Sequence, residues 1–447
     1  MNAVLDLVGV EVGLSVRRAK RRWFGDFQRE RGNRRLFREF LLISVGTPYK
    51  ENSISALARG AASRAVLDTF YTTIYSAGLI PLVNRLPVGN FRAALVRELQ
   101  RRAFPGVPAD KVRMLATTWD ISLMAFRRLH LNALSSHFVF TEKRQFDRAM
   151  AHQIAKSSAN QVVGMWGSCE KTFRVAQRLG RFTVMNYVNS HPREQNRLMR
   201  ELGGAPRGHH EFIRDDVIRQ VEQEMLFANL LLVPSHFVAR QLMATGMSKD
   251  RIVVEPYGVD LRAFTQPTAR TYVAGRPLKV LCVGMISYRK GVRDVIAAAR
   301  RMKRDAHFDL MGAMIEPSLL KSLPENVTYH GVKVQAEVIA AMQAADVFVL
   351  GSVEDAFPLV VLESMATGLP VVVSDHAGGG ENVVDGVTGI LFPATQVDRL
   401  VSALQLLHSD PELRARMGRA ARIQVEGSSS WESYAERVLD RIESFSL

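Results

Sequence analysis

The stretch of sequence that decides the fold reads GSVEDAFPLVVLESMATGLP, residues 351–370. Short apolar segments flank it, Val347–Leu350 before and Val371–Ser374 after, so the pattern predicts strand, loop, helix and strand in succession. Pro358 stands where the helical part begins, and proline is typical of a first helical position. The stretch therefore predicts one β–α–β unit of a parallel sheet, with an acidic loop at the carboxyl end of its first strand.

The same alternation continues outward from this unit in both directions. In the C-terminal half of the chain, which includes this unit, we predict strands at 279–283, 307–311, 327–330, 347–350, 371–374 and 389–391, with helices at 291–303, 335–344, 358–367 and 396–408. Nearer the N-terminus, we predict strands at 40–44, 161–167, 182–188, 230–233 and 251–255 and a helix at 53–67. The sequence is that of an α/β protein with two Rossmann-like, doubly wound parallel-sheet domains facing a cleft.

Turn residues and the ends of these patterns divide the 447 residues into four parts. We predict a basic N-terminal arm at 1–39, a first Rossmann-like domain at 40–265, a second at 276–425 and a C-terminal helix at 426–447. The last helix is expected to pack back toward the first domain.

The composition limits the class of protein and its partners. The chain carries a net charge of +15, which favours anionic partners. Basic and aromatic residues interleave in the arm, as in a segment that lies on an anionic membrane surface, although a solvated arm has the same composition. No nucleic-acid module accompanies the arm, so nucleic acid is not an expected partner.

The two cysteines, Cys169 and Cys282, form no metal-binding or redox spacing and are expected to be reduced. No signal peptide and no apolar run of about 18–20 residues is recognisable. We therefore expect a cytoplasmic protein, in which any contact with the inner face of the membrane is peripheral.

Polar groups at the carboxyl ends of the predicted strands are the candidates for ligand binding, because ligands of open α/β sheets lie there. The amides of Leu359 and Val360 at a helix start suit a diphosphate. Glu363 could accept hydrogen bonds from a ribose diol, and Asp355 from sugar hydroxyls. The alternative is an ordinary helix start with acidic residues near its dipole.

These residues also carry a resemblance. The sequence has an acidic residue, seven further residues and then Glu-x-Met-Ala-x-Gly-x-Pro-Val-Val. This pattern is similar to the signature of retaining glycosyltransferases of family 4 (glycosyl transferases group 1), which have the GT-B fold. Here Asp355 stands at the first acidic position, where the family has glutamate, and Glu354 lies beside it. The resemblance implies that Asp355 or Glu354 contacts the donor sugar and Glu363 its ribose, and that the donor site also includes Phe357, Pro358, Leu359 and Val360.

Further segments resemble the same family. Gly378, Gly379 and Gly380 are similar to its glycine-rich loop, where the bare backbone approaches a ligand closely. Residues 284–291 are similar to its Gly-Arg-Leu-x-x-x-Lys-Gly pattern, so Lys290 would neutralise the leaving diphosphate. Met285 replaces the family's arginine, and Arg289 is the nearest candidate for the missing charge.

In the first domain, His191 follows a predicted strand and is expected to face the cleft. The resemblance implies a role near the sugar, although a histidine bonded to loop backbone is the competing interpretation. Gly46 is placed in the loop after the first strand, where the family has an acceptor-facing and phosphate-facing loop. The adjacent His209 and His210 have no carboxylate at metal-ligand spacing, so we interpret them as structural and expect no metal site.

By resemblance, the chain is a metal-independent hexosyltransferase without a cofactor, which moves a sugar with retention from a nucleotide-sugar, such as a UDP- or GDP-sugar, to a glycan or lipid-linked acceptor. Polysaccharide or glycolipid assembly is the expected setting. Three alternatives stay open: an epimerase of the same fold, a phosphorylase of that fold, and a catalytically silent scaffold that kept the fold. Phosphate-loop, dinucleotide, serine-hydrolase and zinc motifs are absent from the sequence.

Overall fold

The computed structural model describes residues 41–76, 103–128, 132–206, 211–267 and 275–446, together with His209 and isolated positions between 77 and 102. The predicted basic arm, His210 and part of the loop between the two domains lie outside the described residues. Elements are numbered below over the described part of the chain only.

The first sheet has seven parallel strands in the order β3-β2-β1-β4-β5-β6-β7. Its strands are β1 (Ile43–Thr47), β2 (Leu67–Thr72), β3 (Val112–Met114), β4 (Gln161–Met165), β5 (Phe182–Asn186), β6 (Leu230–Val233) and β7 (Ile252–Val254). β1 and β4 are buried at every position, as expected for central strands covered by helices on both faces.

The second sheet has six parallel strands in the order β10-β9-β8-β11-β12-β13. Its strands are β8 (Leu278–Val283), β9 (Ala306–Met311), β10 (Val327–Tyr329), β11 (Val347–Leu350), β12 (Val371–Ser374) and β13 (Gly389–Phe392). Strand order reverses between β1 and β4 in the first sheet and between β8 and β11 in the second. Each domain therefore has one crevice at the carboxyl ends of its strands.

Thirteen α-helices are described in this part of the chain, and they cover the faces of the two sheets. They are α1 (Asn52–Ser63), α2 (Thr117–Arg128), α3 (Asn132–Ile154), α4 (Glu170–Arg178), α5 (Pro192–Leu198), α6 (Asp215–Leu226), α7 (His236–Ala244), α8 (Val292–Met302), α9 (Gln335–Ala344), α10 (Leu359–Ala366), α11 (Val397–Ser409), α12 (Pro411–Ser428) and α13 (Trp431–Ser446). No helix among the described residues is both long enough and apolar enough to cross a membrane.

Side-chain caps fix where several helices begin. Glu51 accepts a hydrogen bond from the Ile54 amide at 2.9 Å at the start of α1, and Asp410 accepts one from the Leu413 amide at 2.8 Å at the start of α12. Each carboxylate satisfies an amide that the first helical turn leaves without a partner. Both boundaries therefore coincide with a capping residue in the local sequence.

The prediction of two doubly wound sheets is confirmed, and most strand positions agree within two residues. Two strands of the first sheet, β2 and the edge strand β3, were missed. β2 carries Asp68 and two threonines among its apolar residues, which weakens a buried-strand pattern. The Asp68 carboxylate accepts hydrogen bonds from the hydroxyls of Ser44 at 3.0 Å and Ser157 at 2.8 Å, so the surrounding residues compensate its burial.

The C-terminal helix α13 packs on α1 of the first domain. A side chain at Gly60 of α1 would place its Cβ 2.8 Å from the Cβ of Ala435, so the bare backbone lets the two helices approach closely. Arg64 of α1 forms ion pairs with Glu436 and Asp440 of α13. The buried Glu255, after β7, accepts hydrogen bonds from Arg437 at 2.9 Å and Arg441 at 3.3 Å. After the second domain, the chain therefore returns to the first domain and packs on it through α13.

Candidate active site

Three loops of the second domain meet at the carboxyl edge of its sheet. They follow β8 (residues 284–291), β11 (residues 351–358) and β12 (residues 375–380). The β11 and β12 loops are joined by backbone hydrogen bonds, from the Asp355 amide to the His376 carbonyl at 3.1 Å and from the Gly378 amide to the Asp355 carbonyl at 2.8 Å. The site residues predicted in this domain therefore come together around one crevice.

Lys290 and Asp355 form an ion pair across this crevice. The Lys290 ammonium donates to an Asp355 carboxylate oxygen, and both side chains are largely buried, at 13% and 10% exposure. A left-handed glycine next to the lysine makes the approach possible, because a Cβ on Gly291 (φ +63°) would lie 1.7 Å from the carbonyl oxygen of Gly351. The predicted diphosphate-binding cation and the predicted sugar-binding acid are therefore neighbours.

Arg289, the residue before Lys290, forms a second ion pair. Its guanidinium donates to the carboxylate of Glu354 at 3.3 Å, and Glu354 is 1% exposed. Its Nε lies 4.0 Å from the carboxylate of Glu211, a residue of the first domain. Burial opposes the charge of Arg289, but the three carboxylates of Glu354, Asp355 and Glu211 hold its pKa above the ordinary value. Arg289 thus compensates buried carboxylates at the domain interface.

The helix that carries Glu363, α10, begins at Leu359, one residue later than predicted. Pro358 is the N-cap residue, with ψ at 103°, because its backbone is still extended at the point where the helix starts. This corrects the prediction that Pro358 is the first helical residue. Among the described residues, the amides of Leu359 and Val360 donate no hydrogen bond, as expected for the first turn of a helix.

Glu363 lies about one turn further along α10 than these amides. In the part of the chain that the structure describes, its carboxylate accepts no hydrogen bond, and burial raises its pKa to about 7. A buried carboxyl that lacks a protein donor is suited to hydroxyl groups supplied by a ligand.

The three glycines of the β12 loop are buried against protein. A Cβ on Gly378 would lie 2.0 Å from the Ala356 carbonyl oxygen and 2.5 Å from the Ser235 hydroxyl, and a Cβ on Gly379 would lie 3.0 Å from Pro358. Gly380 has looser surroundings, with the nearest atom at 3.4 Å. Packing between loops explains Gly378 and Gly379, and their predicted contact with the donor stays a prediction.

His191 of the first domain lies directly before α5 and is 1% exposed. Its Nδ1 accepts a hydrogen bond from the Arg193 amide at 3.3 Å, and its Nε2 lies 3.9 Å from the Glu222 carboxylate. Burial lowers its pKa, against the opposing charge of Glu222. The ring is therefore held by its own helix start, which is the arrangement of the competing loop interpretation, and its contact with a sugar stays a prediction.

Two predicted binding residues lie in packed surroundings. Gly46 belongs to β1 and not to the loop after it, because the pairing of β1 with β4 includes this position and its pairing with β2 continues to Thr47. A Cβ there would lie 2.2 Å from the Met150 sulfur, so the glycine accommodates α3. The ring of Phe357 meets that of Tyr257 edge-on at 5.0 Å and is 7% exposed, which makes it part of the core.

The sequence did not identify the residues that join the two domains beside the crevice. Glu381 accepts hydrogen bonds from the amides of His236 at 2.7 Å and Phe237 at 2.6 Å, so a carboxylate of the second domain caps α7 of the first. The Ser235 hydroxyl donates to the Ala356 carbonyl at 2.8 Å.

His209 contacts the second domain at the same interface. It lies 2.8 Å from Glu316 and, together with Ser318, lowers the pKa of that carboxyl to about 2. The sequence spacing of these residues gave no signal of such contacts. Among the described residues, no cluster of His, Cys, Asp and Glu has the arrangement of a metal site.

Residues 270–424 match the family Glycosyl transferases group 1. The second domain of this chain is therefore similar to a group 1 glycosyltransferase domain. One curated relative is the D-inositol 3-phosphate glycosyltransferase of Arthrobacter sp. (strain FB24), which is 33% identical over 210 residues, 43% of this chain and 49% of the relative. The chain spans about half the length of this relative, so the likeness does not extend to the whole protein.

Solved structures resemble nearly the whole chain. The sucrose-phosphate synthase of Thermosynechococcus elongatus has a TM-score of 0.61 and 17% identity, over 90% of this chain and 98% of that one. The Anabaena protein HepE, solved in complex with UDP and glucose, has a TM-score of 0.61 and 14% identity, over 90% of this chain and 100% of that one. Identities this low establish the fold alone, and the fold is the predicted GT-B architecture.

Proposed function

We propose that this chain is a retaining, metal-independent hexosyltransferase of family 4 that uses a nucleoside diphosphate sugar as donor. The observation that carries the proposal is the buried Lys290–Asp355 pair in the loops at the carboxyl edge of the second sheet, taken together with the unpartnered Glu363 carboxyl and the free amides at the start of α10. A cation, a helix start and a hydroxyl acceptor together match a diphosphate with its ribose. HepE, whose fold this chain shares, was solved with UDP and glucose.

In the proposed reaction, the donor diphosphate takes the place of the Asp355 carboxylate on the Lys290 ammonium. Asp355 is then free to accept hydrogen bonds from hydroxyls of the sugar. An acceptor hydroxyl oxygen forms a bond to the anomeric carbon on the face that the diphosphate leaves, while the bond from that carbon to the diphosphate oxygen breaks. The acceptor's proton passes to the departing diphosphate, and the configuration is retained.

Stabilisation of the leaving charge is the main contribution of the protein in this scheme. Lys290 and the amides of Leu359 and Val360 would oppose the charge that develops on the diphosphate oxygen. They sit in loops already fixed by buried contacts, so little reorganisation is needed during the reaction. Glu363 would hold the ribose by accepting hydrogen bonds from the two ribose hydroxyls. These would take the place of the hydrogen bonds to water that burial removes from the carboxyl.

The acceptor is proposed to be a glycan or a lipid-linked sugar, and the protein to act in the cytoplasm at the inner face of the membrane. The basic and aromatic composition of residues 1–39 supports contact with anionic lipid. Deletion of these residues should abolish co-sedimentation with anionic vesicles. Unchanged co-sedimentation of the shortened chain would show that the arm is not the anchor.

The proposal is tested by incubating the protein with UDP-, GDP-, ADP- and TDP-sugars and measuring nucleotide release and thermal stabilisation, with and without EDTA. One sugar nucleotide should stabilise the fold and release its diphosphate slowly, unchanged by EDTA. Lys290→Ala should lower release by orders of magnitude, whereas Lys249→Ala, at an exposed position at the opposite edge of the first sheet, should not.

The second candidate function is a silent scaffold with this fold. The observation that favours it is Met285 in place of the family's arginine, together with the engagement of Arg289 by Glu354 and Glu211. Absence of both stabilisation and release with every donor would support the scaffold. In that event, Met285→Arg is the first substitution to test for recovery of donor binding.

A further inference from the structure

Three neighbouring helices lie side by side on one face of the first sheet. They are α3, α4 and α6, which lead in turn into β4, β5 and β6. Right-handed crossovers place helices that advance in the same direction across a sheet on the same face. The contacts agree, because α3 packs on α4 and α4 packs on α6, whereas α1 advances in the opposite direction and packs on α13. The outer side of these three helices is called the α3–α4–α6 surface below.

Exposed cations are concentrated on the α3–α4–α6 surface. Arg144, Arg148 and His152 follow one another at intervals of four residues and therefore share one side of α3. The exposed cations of the three helices and of the turn after α3 are Arg144, Arg148, Lys156, Lys171, Arg174, Arg178 and Arg219. Cations from all three helices line one open cavity of about 300 Å³, and these are Arg144, Arg148, Lys171 and Arg219. The packing of the helices therefore brings their positive charges together.

Most carboxylates of the same surface are engaged by other groups. Asp147 is buried and accepts hydrogen bonds from two backbone amides at the start of α4, at 2.8 and 2.9 Å. Glu170 pairs with Arg174 at 3.1 Å. Asp216 pairs with Arg214 at 2.7 Å. Several cations, in contrast, form no ion pair with any residue that the structure describes, and these are Arg148, Lys156, Lys171, Arg178 and Arg219. The surface therefore carries a surplus of positive charge.

Two large apolar side chains are exposed at the end of this surface where β5 and β6 begin. Leu179, directly after α4, is 49% exposed, and Leu226, the last residue of α6, is 60% exposed. The Gln177 side chain donates to the Phe227 carbonyl at 3.0 Å and so joins the two helix ends. Asp215, an exposed carboxylate, lies at the opposite end of α6. The two leucines therefore stand beside cations and away from this carboxylate.

We infer that the α3–α4–α6 surface docks on an anionic lipid membrane, with its cations on the headgroup phosphates and Leu179 and Leu226 in the interface. The surplus of positive charge fits an anionic partner. Exposed leucines among cations fit a lipid interface better than a wholly polar polyanion. The inference rests on the membrane setting of the proposed function, to which it adds a folded surface apart from residues 1–39. Stable anchoring of a peripheral protein commonly takes two such contacts.

The test measures co-sedimentation of the full chain with vesicles of phosphatidylglycerol mixed with phosphatidylcholine, and with vesicles of phosphatidylcholine alone. The wild type should bind the anionic vesicles at least about tenfold more tightly than the neutral ones. Added salt should weaken the binding, because it screens exposed charges.

A charge variant of the surface combines Arg148→Gln, Lys171→Gln and Arg178→Gln. It should bind the anionic vesicles at least about tenfold more weakly than the wild type, since three cations no longer face the anionic lipid. The matched control removes the same charge from exposed positions of the second domain and should keep most of the affinity. Its substitutions are Arg304→Gln, Lys321→Gln and Arg399→Gln.

A leucine variant combines Leu179→Gln with Leu226→Gln and tests the apolar contact separately. It should weaken binding to the anionic vesicles by about tenfold, because both side chains would leave water when the surface docks. The matched control is Leu406→Gln with Ile423→Gln, at positions that are 49% and 69% exposed on helices of the second domain. This control should bind like the wild type.

Three results would overturn the inference: no binding of the wild type to anionic vesicles, equal binding to both kinds of vesicle, or equal affinity of the charge variant and the wild type. Loss of binding in the charge variant but not in the leucine variant would contradict the lipid interface and indicate a polar polyanion as partner.

Every variant keeps residues 1–39, so equal affinity of the charge variant and the wild type would reject this surface and leave the proposed role of the arm standing. Thermal denaturation shows whether each variant remains folded. Stabilisation of the charge variant by the donor tests the proposed transfer reaction separately, because none of the substituted residues belongs to the donor site.

Discussion

At the scale of single residues, the buried carboxyl of Glu363 makes stability depend on pH. Its pKa is about 7 in the folded protein, against about 4.5 for an ordinary glutamate, so the folded state holds a proton that the unfolded state has lost between these values. Stability therefore falls as pH rises from about 4.5 to about 7, and the loss is complete above that.

The substitution Glu363→Gln removes the loss of stability that ionisation of this buried carboxyl causes. We expect the variant to melt higher than the wild type at about pH 8, and the difference to shrink toward zero as pH falls to about 4.5. Thermal denaturation across this range measures it, with the exposed Glu432→Gln as the matched control. A difference that does not change with pH would contradict the buried, unpartnered state of Glu363.

Arg289 is the second residue whose environment gives a definite expectation. Arg289→Met leaves the buried Glu354 without its cation, and we expect a loss of about 3 kcal/mol in the free energy of unfolding. Adding Glu354→Gln should restore a large part of it, because no uncompensated charge then remains. Denaturant unfolding of the single and double variants measures the effect, with Arg300→Met as a surface control.

If Arg289→Met left stability unchanged, the guanidinium would be available to a ligand, and the interpretation of its ion pairs would be wrong.

The sequence could place Lys290 and Asp355 in facing loops, because both follow strands of one sheet. It could not show what Arg289 contacts, since Glu211 lies 78 positions earlier and in the other domain. Contacts between domains depend on how they dock, which no local pattern encodes.

At the scale of elements, the turn that begins α8 holds Lys290 in place through Gly291. Gly291→Ala would combine a left-handed backbone with a Cβ 1.7 Å from the Gly351 carbonyl oxygen. Gly246→Ala is the matched control, since Gly246 is also left-handed (φ +90°) but meets nothing within 4 Å. The control isolates backbone strain, which costs about 1–2 kcal/mol.

We expect Gly291→Ala to destabilise the protein clearly more than Gly246→Ala and to weaken donor binding, because the turn must move away from β11. Thermal denaturation and donor titration of both variants test this. Equal losses would mean that the loop after β8 adjusts freely and does not fix Lys290.

Element types were predictable where the hydrophobic period was regular. β6, β11 and β12 lie at the predicted residues, because each is an unbroken apolar run between turn residues. β2 was missed because buried polar residues interrupt its pattern. The long α3 was missed because its apolar residues follow no clear stripe, and tertiary packing on the first sheet stabilises it instead.

At the scale of the whole molecule, the return of α13 to α1 links the two ends of the described chain. Gly60→Leu would drive the helices apart, because its Cβ would already lie 2.8 Å from that of Ala435. We expect a loss of about 2–3 kcal/mol in the free energy of unfolding. Gly427→Leu, at a helical glycine of α12 with nothing within 4 Å, should be neutral or slightly stabilising.

Denaturant unfolding of both variants measures this prediction. Equal stability of the Gly60 variant and the wild type would show that the α13–α1 contact contributes little. The sequence predicted an amphipathic last helix, but the apolar face of α13 does not by itself specify which surface it covers.

The central claim is that the crevice of the second domain binds a nucleotide-sugar between Lys290, the start of α10 and Glu363. The most direct measurement is a crystal structure with the donor that nucleotide release identifies. We predict that the diphosphate lies on Lys290, that the Lys290–Asp355 pair is open, and that Glu363 accepts hydrogen bonds from the ribose. A diphosphate bound elsewhere, with the Lys290–Asp355 pair intact, would contradict the account.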